Sequence, residues 1–168
     1  ETIADLEQRF GLNQPVWVQY FIWLRQVVTK FDFGESFAYN RPALDILAER
    51  LPNTILLSAA SIFVTWAIAI PLGIVSAVNQ NNIADRFLRL LSYFAQGFPP
   101  IITGLFLLFF AQVTAPLFPV GGRTSLYHDD LNWIGQILDV AWHLILPTLA
   151  LSITSFAGLQ RLMRGQLL

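Results

Sequence analysis

The run Leu90–Gly122, LLSYFAQGFPPIITGLFLLFFAQVTAPLFPVGG, carries no charged side chain. It is longer than the ~20 residues that cross a bilayer as a helix. Near its start stands Gly97-Phe98-Pro99-Pro100. Two consecutive prolines remove two backbone donors and clash with the preceding turn, so a straight helix cannot pass through them. The carbonyls of Ala95 and Gln96 thereby lose their helical partners. In hydrocarbon each such group costs several kcal/mol unless protein or water satisfies it. The break therefore faces a hydrated path or a polar neighbour, or it is a kink that shapes packing alone. Both readings stand at this point.

The rest of the chain supports a membrane reading. Of 168 residues, 55% are hydrophobic and only 12% charged, against roughly 25% charged in a soluble domain; mean hydropathy is +0.55. The charge is segregated: residues 1–50 hold seven acids and five bases, the remainder four acids and five bases. A polar N-terminal segment, residues 1–53, is thus expected to precede a membrane part, residues 54–168. The net charge of −1 gives no reason to expect nucleic acid as a partner. Cysteine is absent, so a disulfide framework, a Cys-based metal site and a Cys nucleophile are impossible. No apolar leader stands at the start, ETIADLEQRF, and the chain has no initiating Met; it is expected to be part of a longer protein.

Three spans are expected, at about 54–78, 83–117 and 142–160. The first would be ~37 Å long as a helix, enough to cross hydrocarbon with some tilt. Within it Ala69, Gly73 and Ala77 recur every four residues, a row of small side chains along which another helix can approach closely. Pro71 is expected to kink this helix, and Trp66 to pack between helices. Before it, residues 1–14 read as a short polar helix. PVWVQYFIWLRQVV reads as an amphipathic helix with Trp17, Phe21, Leu24 and Val28 on one stripe, suited to a membrane interface or to a protein surface. Lys30–Asn40 reads as a polar loop, and Pro42–Leu51 as a helix ended by Pro52, with Asn53 capping the next. Asp85 is expected to cap the second span. Arg123–Asp139 reads as a polar loop.

Arginines fix an expected orientation. Arg86 and Arg89 follow the first span, and Arg161 and Arg164 follow the third. The positive-inside rule puts both regions on the cytoplasmic side, with the first fifty residues and Arg123–Asp139 outside. No ionisable group lies at mid-span, which argues against an ion-coupled carrier core. Neither a nucleophile-elbow nor a zinc-protease motif occurs, and no phosphate-cradling loop is present, so no cofactor, metal or catalytic residue is expected. The mild polar groups Ser92, Gln96 and Thr103, with Gly97 and Pro99 at the break, are the expected lining of any solute path. Ser92 and Gln96 are four apart and would share a face.

The order of several short stretches resembles one family, the inner-membrane permeases of bacterial ABC importers for dipeptides, oligopeptides or nickel, and among them the first of two paired permeases. Gly11-Leu12-Asn13-Gln14-Pro15, with Gln19-Tyr20 and Trp23-Leu24, resembles its G-L-D-x-P run, and Asp32-Phe33-Gly34-Glu35-Ser36 its D-[LF]-G-x-S. Arg41-Pro42, Arg50-Leu51-Pro52-Asn53-Thr54, Pro71-Leu72-Gly73 and Asp85-Arg86 follow in the family's order. Pro99 resembles its S-x-P break, and Phe118-Pro119-Val120-Gly121-Gly122 its outer P-x-x-G turn; Leu146-Pro147 and Arg161-x-x-Arg164 complete the series. Phe31 stands where the family usually has Gly, and Gly97 where Ser is common. The resemblance implies an all-α membrane protein, a piece of a type I ABC importer permease with three transmembrane helices and an outer amphipathic N-terminal segment. It implies a helix before residue 1. After Leu168 it implies a coupling helix that docks on the ATPase, near Arg161 and Arg164, and two further helices. The implied partners are a second permease subunit, ATP-binding subunits, a periplasmic or lipoprotein solute-binding protein and the lipid of the bacterial inner membrane. The implied mechanism is alternating access. A structural or assembly subunit without its own path is the alternative that the Ser-rich, small-residue spans fit equally well.

Overall fold

The structure, a computed structural model, describes residues 13–168; the short polar helix expected at the very start lies almost wholly outside them. The chain divides into two compact units, one ending at Thr54 and one running Ile55–Leu168.

In the first unit, helix α1 (Val16–Lys30) starts directly after Pro15, whose fixed φ suits a helix entrance. Trp17, Phe21 and Val28 are exposed, and no residue of α1 is buried. The helix is stopped by Phe31, whose φ of 52° lies in the left-handed region. Asp32 Oδ1 then accepts from the Gly34 N–H at 3.0 Å, a local side-chain turn. The segment expected to be a plain loop contains a minimal hairpin: β1 (Glu35–Ser36) and β2 (Arg41–Pro42) pair antiparallel, Ser36 opposite Arg41. Tyr39 lies under two guanidinium groups, those of Arg41 and Arg50, at 5.9 and 5.6 Å.

Helix α2 runs without interruption over Ala43–Val78. The stop expected at Pro52 is absent, and Asn53 caps nothing. A proline deletes one hydrogen bond and crowds one carbonyl, and neighbouring turns of a long helix supply the remaining bonds. Past Thr54 the helix exposes its bulky residues and buries its small ones. Ser61, Thr65, Ala69, Gly73 and Ala77 are all buried, so the row read from the sequence continues upward through two hydroxyl residues at the same spacing. Its neighbour is the last helix. A Cβ on Gly73 would lie 2.6 Å from Met163 Cβ and 3.1 Å from the Gln160 carbonyl oxygen. Ser152 Oγ donates to the Ser61 carbonyl at 3.2 Å. Trp66, next to this row and so turned about 100° away from it, is 59% exposed rather than packed between helices.

Helix α3 (Ile83–Gly97) is capped by Asn82, not by Asp85. Helix α4 (Pro100–Val113) follows with Pro100 at its first position. The two axes differ by 96°. The second expected span is therefore two helices joined at the double proline. After a loop stacked onto the last helix through Phe118 and Trp142, rings 5.5 Å apart and 4° from parallel, a single 3₁₀ turn (His128–Asp130) leads to α5 (Trp133–Leu167). This helix begins at Trp133, not near Trp142. Asn132 Oδ1 accepts from the Gly135 N–H at 2.8 Å, an N-cap hidden in a stretch polar enough to read as loop.

The second unit is inverted relative to a water-soluble core. Its buried residues are mainly Ala, Ser, Thr and Gly, whereas Phe63, Phe94, Phe106 and Phe109 face outward. Small residues inside and large apolar ones outside are what helix packing in lipid demands. Among the described residues two helices, α2 and α5, are long and apolar enough to cross a membrane, and the bent α3–α4 pair makes a third if it is one span.

Two substitutions test this account. Gly73→Ala forces Met163 and the α5 backbone to shift and is expected to cost about 1–3 kcal/mol, whereas Gly104→Ala meets nothing within 4 Å and gains helix propensity. In the full-length protein the first should lower the melting temperature and the second should not; equal effects would mean the α2–α5 approach is not close. Phe31→Gly removes a left-handed backbone penalty of about 1–2 kcal/mol, partly offset by glycine's unfolded-state freedom, and should raise resistance to proteolysis around residue 31.

Candidate functional site around the helix break

The residues expected at a path separate into two environments. Gln96, Gly97 and Pro99 are exposed. Thr103 is half-buried on the wall of a cleft of about 520 Å³ between α3, α4 and α5, with Leu91, Phe94, Phe98, Phe106 and Phe156 among its other walls. Ser92 is fully buried, and its hydroxyl donates to Gln160 Oε1 at 2.8 Å. Ser92 and Gln96 thus do not share a surface in this structure, although they are one turn apart. Gln160, itself fully buried, went unnoticed in the sequence, where a lone Gln near a helix end carries no pattern.

Towards the other end of α3 lies the densest polar cluster of the unit. Asp85 is completely buried. Its Oδ1 accepts from Ser76 Oγ and from Arg164 Nε at 2.7 Å; its Oδ2 accepts from the Asn81 N–H at 2.9 Å and from Arg164 Nη2 at 3.0 Å. Arg89 Nε stands 3.5 Å from Oδ2. A bidentate arginine on a carboxylate is among the strongest geometries available to the pair. Arg161 differs from Arg164: it lies over the Tyr93 ring at 5.3 Å and bonds its own helix at Ala157.

A second cluster gathers on the first turns of α5. Asp139 Oδ2 accepts from the Ser125 N–H at 2.9 Å and from His128 Nδ1 at 2.8 Å. His143 Nδ1 donates to the Asp139 carbonyl at 2.8 Å, so its Nε2 is the free acceptor when neutral. These contacts bind the 3₁₀ turn to α5. Among the described residues there is no group of three or more His, Cys, Asp or Glu able to hold a metal ion.

An inverted helical bundle with one sharply broken span calls for comparison with known membrane components. The family described as binding-protein-dependent transport system inner membrane component matches residues 69–168, and the N-terminal family of the same systems matches residues 1–58. The chain belongs to this family. It is an inner-membrane, multi-pass protein with the all-α type I permease fold. It is 36% identical over 169 residues to the oligopeptide transport system permease protein AppB of Bacillus subtilis, covering 98% of this chain and 52% of that one. Identity to the peptidoglycan transport system permease protein YejB of Agrobacterium fabrum is 33% over 159 residues, covering 94% and 43%. Identity to the nickel import system permease protein NikB of Staphylococcus aureus is 30% over 168 residues, covering 100% and 45%. The chain spans about half the length of the curated relatives it matches. Both Asp85 and Arg164 fall within the matched inner-membrane component segment.

Removing one partner of a buried pair leaves an uncompensated charge, typically at a cost of 3–5 kcal/mol. Arg164→Met is therefore expected to destabilise the full-length protein by about 3 kcal/mol, the low end because Arg89 is at hand. Arg161→Met should cost under about 1 kcal/mol. Thermal unfolding of the two purified variants reads the difference; similar losses would show that Arg164 is not specially placed.

Proposed function

We propose that this chain is the membrane part of a permease subunit in an ATP-driven importer of peptides or related small solutes. It works by alternating access with a second permease subunit, separate ATP-binding subunits and an external solute-binding protein. The observation that carries the reading is the family match across both segments, joined to a broken span whose freed backbone carbonyls call for a polar or hydrated neighbour. Relatives named as oligopeptide or peptide permeases support the solute class. ATP is hydrolysed by the partner subunits, since this sequence carries no phosphate-cradling loop.

In this reading Gln96, Gly97, Pro99 and Thr103 line the path at the break. Ser92 acts behind them, through Gln160. Asn79–Arg89 and Arg161–Leu168 face the cytoplasm by their arginines, which brings Arg161 and Arg164 to the side of the ATPase.

The full-length protein, purified with its partner subunits and binding protein into proteoliposomes, should take up peptide only when ATP and the binding protein are both present. Uptake that needs neither would overturn the ATP-driven reading, and none with all partners present would overturn it in favour of a structural subunit. For the path, cysteines at Gln96 and Thr103 should react with small polar thiol reagents and change reactivity when ATP is bound. A cysteine at Ser92 should stay unreactive while its helix pair is closed; the reverse order would remove Gln96 and Thr103 from the path. For orientation, an impermeant reagent applied outside intact cells should label a cysteine at Gly122 and not one at Asn81.

A further inference from the structure

The contacts between α5 and the broken span change character at the break. Below it, α3 and α5 run antiparallel and are joined by directional polar contacts in sequence: Asp85 to Arg164, Ser92 to Gln160, and Arg161 over Tyr93. Above it, α4 meets α5 through apolar side chains, around a cleft that Leu91 and Phe94 of α3 also wall, and among the described residues no hydrogen bond joins those two helices. A bidentate ion pair and a buried hydroxyl–amide bond have one geometry each.

Asp85 adds a third element to the lower block. Its carboxylate collects Ser76 from the last turns of α2, the Asn81 N–H from the connecting turn, and Arg164 from the end of α5. Asn81 has φ +62°, a left-handed conformation that Asn tolerates and that aims its N–H at Asp85. Gly73 and Met163 bring α2 and α5 together just above this point. A buried ion pair seldom stabilises more than apolar side chains of equal volume would. Its distinctive property is geometric, and here it ties three chain segments to one carboxylate.

We propose that Asp85 is a positioning residue: through Arg164, Ser76 and the Asn81 backbone it locks the ends of α2 and α5, the connecting turn and α3 into one rigid block. A displacement imposed at the end of α5 is then carried whole to Gly97–Pro99, where α4 alone yields. The consequence for transport rests on the permease reading; the rigidity does not.

The test uses the full-length protein with its partner subunits in lipid nanodiscs, carrying spin labels at Gln80→Cys and Gly165→Cys. Both sites are exposed, and a Cβ at Gly165 meets nothing within 4 Å. With Asp85 intact the label pair should give one narrow distance that does not change with a non-hydrolysable ATP analogue. Arg164→Lys keeps the charge but loses the two-pronged grip, and Ser76→Ala removes one donor without stranding a charge. Each should broaden the distribution. In proteoliposomes Arg164→Lys should also lower solute taken up per ATP hydrolysed by about fivefold or more, while hydrolysis in the partner subunits continues. A native distance that shifts with nucleotide overturns the block, as does a distribution that stays narrow in both variants. If Arg164→Lys does not assemble, Ser76→Ala decides by the same distance measurement. Absence of ATP-dependent uptake in the unmodified complex, with the narrow distance retained, would refute the permease reading and leave the block standing.

Discussion

The close approach of α2 and α5 at Gly73 is the contact on which the second unit depends. With a Cβ there already 2.6 Å from Met163, no side chain fits, and the two longest helices meet nearly backbone to backbone. Lipid offers no hydrophobic drive to bring helices together, so such contact, with its dispersion and the Ser152–Ser61 hydrogen bond, is what holds them. The small-residue row from Ser61 to Ala77 meets α5 at Ser152 and Met163, α5 brings Gln160 and Arg164 to α3, and α3 ends where the prolines end it.

The polar groups inside the unit follow a consistent logic. Ser61 and Ser155 return their hydroxyls to carbonyls one turn back, which satisfies them without a partner helix. Ser92, Ser152 and Asp85 instead reach across to another helix or turn. Only the second kind specifies an arrangement of helices. These contacts join α5 to α2 and to the lower half of the broken span. The upper half, α4, is left with apolar neighbours, so the 96° bend at the double proline separates an interface with directional polar contacts from one without them.

Much of this was legible in the sequence, for reasons that are local. The uncharged runs, the double proline and the four-residue spacing of Ala69, Gly73 and Ala77 each depend on residues within a few turns of one another. Local cues also misled. Pro52 has every mark of a helix stop, yet the turns on either side carry the helix through it. Asn132 is a sound N-cap, but the polar run before it, Arg123 to Asp130, made the first turns of α5 look like loop. What no local cue could supply was the pairing of Asp85 with Arg164, 79 positions away. Asp85 sits three residues after a cap, where an acid near a helix start needs no further explanation. Arg164 sits where positive charge is expected for topology alone. Each residue had a sufficient bland account, and only the fold shows that the two accounts meet. The same holds for Gln160, unremarkable in the sequence, and Ser92, read there as path lining: the fold buries the two together.

The two charged clusters of α5 have a bearing on depth. The stretch from Asp139 to Arg164 is ~37 Å of helix at 1.5 Å per residue, slightly more than the ~30 Å of a typical hydrocarbon layer. Each end is tied to a neighbouring segment, Asp139 to the 3₁₀ turn and Arg164 to Asp85 of α3, which also holds the turn before it. Sliding the helix along the membrane normal in either direction would drag one ionised cluster, with its attached turn, into the acyl chains. Charges at both rims would therefore resist movement of the helix along the membrane normal more than they would resist its tilting.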